Sequence, residues 1–263
     1  MNLPLFQTVL ITGASSGIGK AIARRLAVPG RCMILVARSR ENLDRVVNEL
    51  ADSGAKIVTV AMDITNPESE LVLADKLKEI GKPLDLLVNN AGFGTYGFFF
   101  ETPPASTADM IDLNVKSLVR LTHYFLPGMV NRNCGAIVNV SSVAGFQPVP
   151  FMAAYGATKA FVTSFSLALS AELRDTRVQV IALCPGRTKT NFQLIAGSHK
   201  VTVKSRFATA DNVALVALKA LESESALAIE GWSNRIMTHA QRFFPRRAAL
   251  WLAYKIFKPK SPK

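Results

Sequence analysis

The stretch QTVLITGASSGIGKAIARRLA, residues 7–27, joins a short apolar run to a helical pattern through a glycine-rich turn. Residues 7–11 predict a buried strand, and residues 20–27 have the spacing of a helix that ends before Pro29 and Gly30. Glycines let a backbone approach a phosphate group closely, and the free N–H groups that begin a helix favour an anion. The stretch therefore predicts a strand–turn–helix unit that binds the pyrophosphate of a dinucleotide.

The glycine turn has a second interpretation. Its spacing is GxxxGxG rather than the commoner GxGxxG, and a tight strand-to-helix turn without a ligand would use the same residue type. The candidate phosphate-binding residues are Gly13, Ser15, Ser16, Gly17, Ile18 and Gly19.

Strand and helix patterns alternate along the chain. Six further strands are predicted at residues 32–37, 56–62, 84–88, 136–141, 178–183 and 226–230. Helices are predicted at residues 20–27, 40–53, 67–80, 106–131, 155–174 and 211–221. Uninterrupted apolar strands between amphipathic helices indicate a parallel sheet buried on both faces. We therefore expect an α/β fold: a single Rossmann-like, doubly wound domain at residues 1–230, with a seven-stranded parallel sheet and helices on both faces.

Composition sets limits on the class of protein. The chain of 263 residues is 49% hydrophobic and 19% charged, which is typical of a globular protein and not of a disordered one. Cys32, Cys134 and Cys184 have no CxxC spacing, so we expect a reducing compartment and no metal site. We find no signal peptide and no apolar run of transmembrane length, and we expect a cytoplasmic protein.

The end of the second predicted strand indicates which dinucleotide fits. An acidic residue there would bind the ribose hydroxyls, but the chain has Ala37 followed by Arg38. A guanidinium can pair with a 2′-phosphate, so Arg38 favours NADP(H) over NAD(H), although a solvated loop residue is the alternative. Arg40 and the serines of the glycine turn can add to that anion site. Asp63, after the third strand, either contacts the adenine edge or caps the following helix.

Tyr155 and Lys159 lie four positions apart in a predicted helix. Side chains at this spacing share a helix face, so the phenol and the ammonium can occupy one small volume. A nearby cation favours the phenolate and lowers the pKa of a tyrosine, which suits proton transfer. Taken alone, the pair is also a frequent coincidence of spacing.

Six motifs together resemble the short-chain dehydrogenase/reductase family. They are TGASSGIG at residues 12–19, NNAG at residues 89–92, Asn114, Ser142, YGATK at residues 155–159, and Pro185-Gly186, each at the expected strand end or helix. The resemblance covers residues 6 to about 230. Within the family the chain is similar to bacterial ketoacyl and acyl-chain reductases and to eukaryotic members that act on lipids and steroids.

The resemblance implies a role for each catalytic residue. Tyr155 would be the general acid in reduction and the base in oxidation, and Ser142 would stabilise the developing alkoxide. Lys159 would lower the pKa of the phenol and hold the nicotinamide ribose, and Asn114 would hold a water that links Lys159 to solvent. The remaining cofactor contacts implied by the family are Asn90, Ala91, Gly92, Pro185, Gly186, Thr188 and Thr190.

Aromatic residues are frequent in the loops expected on the substrate side. They are Phe93, Tyr96, Phe98, Phe99, Phe100, Phe146, Phe151 and Phe192. Such a lining suits an acyl chain, a steroid-like ring system or another lipophilic ketone, although part of it would pack beneath the loops instead.

Residues 231–263 form a basic, amphipathic extension. Eight of the positive charges lie there and no acidic residue does, within a chain of net charge +12. Aromatic and basic residues on two short helices broken at Pro245 are typical of a surface helix on an anionic membrane. The extension could instead fold over the substrate mouth or onto a partner subunit. We expect no nucleic-acid partner, because no recognition motif accompanies the charge.

These patterns predict an NADPH-dependent reductase of a ketone or 3-oxoacyl group on a lipophilic substrate. The alternative is an NADP(H)-binding, non-catalytic module that docks through its basic tail. The family resemblance also implies a homodimer or homotetramer packed through the helices that carry Asn114 and Tyr155, unless the hydrophobic tail blocks those contacts.

Overall fold

The computed structural model describes residues 6–197, 207–240 and 245–259, and its main sheet is built from seven parallel strands. These strands are β1 (Thr8–Thr12), β2 (Cys32–Ala37), β3 (Lys56–Ala61), β4 (Leu86–Asn89), β5 (Gly135–Val140), β6 (Val178–Cys184) and β9 (Leu227–Ile229). A separate two-stranded parallel sheet consists of β7 (Thr188–Lys189) and β8 (Ala208–Thr209). The predicted fold class is confirmed.

The helices follow the strands in alternation. They are α1 (Gly17–Leu26), α2 (Arg40–Glu49), α3 (Ser69–Ile80), α4 (Pro104–Ile111), α5 (Leu118–Asn131), α6 (Ala153–Glu172), α7 (Phe192–Ile195), α8 (Ala210–Glu222), α9 (Trp232–Ala240) and α10 (Arg246–Phe257). Short 3₁₀ turns lie at Ala51–Ser53, Phe99–Glu101 and Val143–Phe146.

The main sheet reverses its winding direction next to β1. Its strand order is β3-β2-β1-β4-β5-β6-β9, so the chain builds outward from β1 to β3 and then crosses to β4 on the other side. Val9 pairs with Met33 of β2 and with Leu86 of β4. The carboxyl ends of β1 and β4 therefore diverge into loops on opposite faces, which is where such folds bind ligands.

Side chains alternate between two hydrophobic layers along each central strand. In β1, Val9 and Ile11 belong to a cluster with α1, α2 and α8, whereas Leu10 belongs to a cluster with α3 and α5. All five residues of β1 are buried. Both faces of the sheet are thus covered, which explains why the strands are apolar without interruption.

The predicted helix at residues 106–131 contains a widened turn. The structure has α4, a π-helical segment Asp112–Ser117 and α5 in succession, and the Ser117 hydroxyl donates to the Asp112 carbonyl oxygen five residues earlier at 2.8 Å. Hydrophobic spacing predicts a helix but not which carbonyl each N–H reaches. Asn114 lies within this segment.

Other boundaries differ from the sequence-based expectation by a few residues. Helix α3 begins at Ser69 rather than residue 67, and the predicted helix at residues 40–53 ends at Glu49 before a 3₁₀ turn. The pairing of β7 with β8 was not predicted, because two-residue strands leave no periodic pattern. Residues 198–206, between α7 and β8, lie outside the described residues.

The C-terminal extension contains helices on either side of Pro245, as its sequence indicates. Helix α10 packs against the loop after β4: the Tyr96 hydroxyl donates to the carbonyl oxygen of Phe257 at 2.8 Å. None of the helices in the described residues is long and apolar enough to cross a membrane. The division at residue 230 into a catalytic domain and an extension stays a prediction.

Candidate active site

The turn between β1 and α1 is shaped by its glycines. Gly13 has a φ of +64°, in the left-handed region that favours glycine. A Cβ added to Gly19 would lie 2.5 Å from Nδ2 of Asn90, so a side chain there would displace the turn. Ser16 is the N-cap residue of α1, and Gly17 and Ile18 begin its first turn. The N-terminal N–H groups and dipole of α1 thus face a turn with little side-chain bulk, which suits a pyrophosphate.

Asn90 and Thr12 tie the glycine turn to the loop after β4. Nδ2 of Asn90 donates to the carbonyl oxygens of Thr12 and Gly13 at 2.9 and 3.1 Å. Oγ1 of Thr12 accepts from the backbone N–H groups of Asn90 and Ala91 at 3.0 and 3.1 Å. The two loops at the switch point are therefore held in one fixed arrangement. Sequence reasoning proposed Asn90 and Ala91 as cofactor contacts and missed the role of Thr12.

The candidate residues near the adenosine side separate into two groups. Arg38 follows β2 and is exposed, and Ser39 beside it caps α2 by accepting from the N–H of Asn42 at 3.3 Å. Asp63 accepts from the N–H and the hydroxyl of Thr65 at 2.9 and 2.8 Å. Because α3 begins at Ser69, Asp63 shapes the preceding turn and does not cap the helix.

Ser142, Tyr155 and Lys159 meet beyond the end of β5. Tyr155 and Lys159 are both buried on the stripe of α6 that faces the sheet, and Ser142 lies close enough to the phenol to influence its ionisation. Ser142 lies two residues beyond the end of β5 and caps the 3₁₀ turn by accepting from the N–H of Ala144 at 3.1 Å. Nζ of Lys159 donates to the carbonyl oxygen of Val140 at 2.8 Å and lies 5.9 Å from the Tyr155 ring centroid.

Asn114 lies next to this group, in the π-helical segment. Its Oδ1 accepts from the N–H of Phe93 at 3.1 Å and its Nδ2 donates to the Phe93 carbonyl oxygen at 2.8 Å. Nδ2 is also 3.2 Å from the Thr158 hydroxyl. A Cβ added to Gly92 would lie 2.8 Å from Oδ1 of Asn114 and 3.6 Å from Nζ of Lys159. Asn114, Gly92 and Lys159 therefore border the same small space.

Burial shifts the ionisation of the central groups. It raises the pKa of Tyr155 to about 12, although the nearby Ser142 hydroxyl opposes the shift. It lowers the pKa of Lys159 to about 8 and raises the pKa of the Cys184 thiol to about 11. The expected lowering of the Tyr155 pKa by Lys159 is therefore not seen, because the loss of solvation on burial outweighs the opposing effect of Ser142.

The loop after β6 lies across the glycine turn. Thr190 approaches the turn closely: a Cβ added to Gly17 would lie 3.1 Å from its Cγ2. The hydroxyl of Thr188 donates to the carbonyl oxygen of Gly186 at 3.0 Å, and the N–H of Val143 donates to that of Pro185 at 3.0 Å. The proposed nicotinamide contacts thus connect the turn after β1 with the strand end that carries Ser142.

The predicted aromatic lining divides between a cavity and the packing beneath it. Phe98, Phe99 and Phe151, with Tyr254 of α10, line a cavity of about 250 Å³ whose wall includes the residues 152–154 immediately before Tyr155. Phe93, Tyr96, Phe192 and Phe257 pack in the cluster around Tyr155. Phe146 packs separately with Val143 and Leu227. Both interpretations of the aromatic residues therefore apply, each to part of the set.

Comparison with known proteins identifies the family. Residues 7–199 match the family model described as short chain dehydrogenase. The chain belongs to the short-chain dehydrogenase family. It is 39% identical over 194 residues to "Sulfoacetaldehyde reductase 2" of Chromohalobacter salexigens, covering 71% of this chain and 75% of that protein.

Solved structures of the family share nearly the whole chain. A short-chain dehydrogenase from Sphingobium yanoikuyae in complex with NADPH has a TM-score of 0.81 at 33% identity, covering 97% of this chain and 98% of that one. A family member from Burkholderia phymatum in complex with NAD has a TM-score of 0.82 at 27% identity, covering 98% of both chains. The protein is thus a short-chain dehydrogenase, an oxidoreductase of the class that acts on CH–OH donors, and the predicted enzyme class is confirmed.

The site of this short-chain dehydrogenase fits a nicotinamide dinucleotide. Glycines 13, 17, 19 and 92 stand where added side chains would meet the surrounding loops, and the start of α1 faces the turn. No cluster of three or more His, Cys, Asp or Glu side chains suited to a metal occurs in residues 6–197, 207–240 and 245–259. The roles of Thr12, Thr158 and Phe257 were not predicted. Thr12 and Thr158 lie within the TGASSGIG and YGATK motifs but act through other side chains or backbone groups, and Phe257 lies outside every motif.

We predict that Lys159→Met removes a pH dependence of stability. The pKa of Lys159 falls from 10.5 to about 8 on folding, so between these values the unfolded chain binds the proton more strongly. The contribution of Lys159 to the free energy of unfolding therefore rises with pH across that window, by on the order of a few kcal/mol. Urea unfolding at pH 7.5, 8.5 and 9.5 measures it as the slope of wild type minus variant. Lys219→Met, at an exposed lysine of α8, is the control, and an equal slope for both variants would contradict the assignment.

Proposed function

We propose that this short-chain dehydrogenase uses NADPH to reduce the carbonyl of a lipophilic ketone or 3-oxoacyl group to an alcohol. The observation that carries this proposal is the phenol of Tyr155, which is buried near Ser142 and placed beside an aromatic cavity. A nicotinamide cofactor, when bound, supplies the hydride. The chain's own groups then have to position the carbonyl and deliver one proton to its oxygen.

Ser142 and Tyr155 are suited to hold that oxygen together. Ser142 lies close enough to Tyr155 to influence the ionisation of the phenol, so a carbonyl oxygen placed next to both side chains would receive two hydroxyl donors. The donors would stabilise the negative charge that develops on the oxygen, and the phenol would transfer its proton to it. The high pKa of Tyr155 keeps the phenol protonated until then, which suits a general acid in reduction.

Lys159 and Asn114 are suited to return the proton to Tyr155. The ammonium group is anchored on the Val140 carbonyl oxygen, and its pKa of about 8 makes it able to exchange a proton near neutral pH. Asn114 lies across Gly92 from Lys159 and is held by both backbone groups of Phe93. We assign to Asn114 the fixing of a water between this space and solvent. Cofactor contacts are proposed at the glycine turn, Arg38, Asp63, residues 90–92, 185–186, Thr188 and Thr190.

We predict that Tyr155→Phe lowers kcat by about 10²–10⁴-fold with every ketone that the wild type reduces, because the general acid is lost. NADPH oxidation measured against a panel of ketones and acyl thioesters gives this value, and cofactor fluorescence should show that NADPH still binds. Tyr124→Phe on the exposed face of α5 is the control and should keep full activity. Unchanged activity of Tyr155→Phe would refute the catalytic assignment of Tyr155, whereas a wild type that binds NADPH but reduces no member of the panel would support the non-catalytic, NADP(H)-binding alternative.

The preference for NADPH over NADH rests on Arg38. Its guanidinium is exposed beyond β2, where the family places the adenosine ribose, and no acidic residue follows that strand before Glu41. We predict that Arg38→Asp raises the Kd of NADPH by about 10–100-fold and changes that of NADH far less, since a charge-assisted contact to the 2′-phosphate is lost. Fluorescence titration measures both constants, with Arg45→Asp further along α2 as the control. Equal weakening of both cofactors would remove the argument for a 2′-phosphate site.

We propose that the protein is a homodimer or homotetramer that packs through α5 and α6. Tyr124 of α5 and Phe161 and Leu167 of α6 expose apolar surface, and the ring of Phe161 stacks on that of Phe165 at 5.8 Å. Such surface on two adjacent helices suits a self-complementary interface. Light scattering should show that Phe161→Glu lowers the mass to that of the monomer, while Leu71→Glu on α3 leaves it unchanged. A monomeric wild type would refute this proposal.

We also propose a cytoplasmic location with peripheral membrane contact through residues 231–263. The support is the composition of this extension, which carries eight basic residues and no acidic one. Arg242, Lys260 and Lys263 lie outside the described residues, whereas Arg247, Lys255 and Lys258 lie exposed on or next to α10.

A further inference from the structure

Exposed apolar side chains surround the opening of the aromatic cavity described above. Phe99 and Phe100 are 64% and 80% exposed, and Trp251 and Leu252 of α10 are 59% and 54% exposed. We call residues 98–100 together with α10 the mouth surface. Phe99 lines the cavity, but Phe100, Trp251 and Leu252 do not. An exposed apolar patch of this kind marks an interaction site, because folding alone does not require it.

A chain of aromatic contacts makes the mouth surface continuous. The ring of Phe98 lies 5.3 Å from that of Phe100 and 5.2 Å from that of Phe151, and Phe151 lies 5.5 Å from Tyr254 of α10. The Tyr96 hydroxyl also holds the last turn of α10 through the Phe257 carbonyl oxygen. The phenylalanine segment and the helix therefore belong to one side of the molecule, around one opening.

Helix α10 is apolar on both its inner and its outer face. Ala253 is buried and Phe257 packs in the cluster around Tyr155, whereas Trp251, Leu252 and Ile256 are exposed. A surface helix of a soluble domain would normally carry polar residues on the outer side. The outer side of α10 instead exposes apolar side chains, so contact with an apolar environment would be favourable.

Basic residues border the apolar outer face. Nζ of Lys255 lies 3.6 Å from the Trp251 ring centroid, and Nζ of Lys258 lies 5.7 Å from that of Tyr254. The stems of such side chains can lie along apolar surface while the ammonium groups reach the headgroup region. Since residues 231–263 contain no acidic residue, the border is complementary to a negatively charged surface.

We propose that the mouth surface inserts into the headgroup region of an anionic lipid bilayer, with α10 parallel to the membrane plane, and that the substrate enters the cavity from the bilayer. Twelve residues of helix span only about 18 Å, whereas the hydrocarbon core is about 30 Å thick, so α10 lies in the interface rather than across it. A bilayer offers an apolar layer to the outer face of α10 and negatively charged headgroups to its basic border. The entry route rests on the proposed reduction of a lipophilic carbonyl, but the membrane contact does not.

Vesicle flotation tests the contact directly. Wild type should float with vesicles of phosphatidylcholine and phosphatidylglycerol, and at least about tenfold less with phosphatidylcholine alone. Trp251→Glu and Phe100→Ser should each reduce partitioning by about tenfold, because each removes one large apolar side chain from the contact. Leu71→Glu, an exposed leucine on α3, is the matched control and should float like wild type. Equal flotation of Trp251→Glu and wild type would overturn the proposal.

A second copy of the chain is the competing occupant of the mouth surface. Sedimentation velocity without vesicles separates the two cases. If Trp251→Glu splits an oligomer and leaves flotation unchanged, the mouth surface is a subunit interface and the proposal is wrong. An unchanged oligomer with reduced flotation supports the bilayer.

The entry route is tested with two ketones, one short and water-soluble and one with a long alkyl chain dissolved in the vesicles. Trp251→Glu should keep its kcat/KM for the short ketone and lose about tenfold for the vesicle-bound one. An equal loss on both ketones would refute entry from the bilayer. If neither protein reduces either ketone, the proposed function fails, while the flotation result still decides the membrane contact.

Discussion

The arrangement of the site depends on one buried positive charge, the ammonium group of Lys159. The Lys159 ammonium is buried and donates to the Val140 carbonyl oxygen, which fixes it at the end of β5. Burying a charged group away from water costs free energy, so the surrounding residues have to supply hydrogen-bond acceptors and enough space for the ammonium group. Gly92 leaves that room, and a Cβ at Gly145 would lie 2.6 Å from the Lys159 carbonyl oxygen, so α6 can approach the turn after Ser142 only because Gly145 has no side chain. The positions of Ser142 and Tyr155 follow from this close approach.

The π-helical segment connects the same constraint to the loop after β4. An ordinary α-helical turn at Asp112–Ser117 would place Asn114 at a different angle to the helix axis, and such widened turns are frequent at functional sites. Here the carboxamide bonds both backbone groups of Phe93 and reaches Thr158 one position before Lys159. The loop, the π segment and α6 thus constrain one another. A change at Asn114 should therefore alter the loop at Gly92 as well as the chemistry.

The residues at strand ends could be predicted from the sequence because their placement is local. Gly13, Ser142 and Pro185 lie at or within two residues of the end of an apolar strand, and parallel strands bring such positions to one edge of the sheet. The direction of the Tyr155 pKa could not be predicted, because it depends on how much solvent α6, Phe192 and the loop after β4 remove together. The widened turn at Asn114 and the docking of α10 also depend on tertiary contacts. The hydrophobic spacing of α10 shows that it is apolar but not where it packs.

The position of α10 resolves a conflict between two requirements of such a site. Proton transfer from Tyr155 benefits from the exclusion of water, which the buried cluster of Met110, Val149 and Met152 around the phenol provides. The lipophilic substrate proposed above would nevertheless have to reach that phenol. Phe257 of α10 packs in the buried cluster around Tyr155, and Tyr254 of α10 lines the open cavity. The same twelve-residue helix therefore helps to bury the phenol and forms part of the cavity wall. Because the remaining face of α10 is apolar, the side of the molecule that carries the cavity also exposes apolar surface.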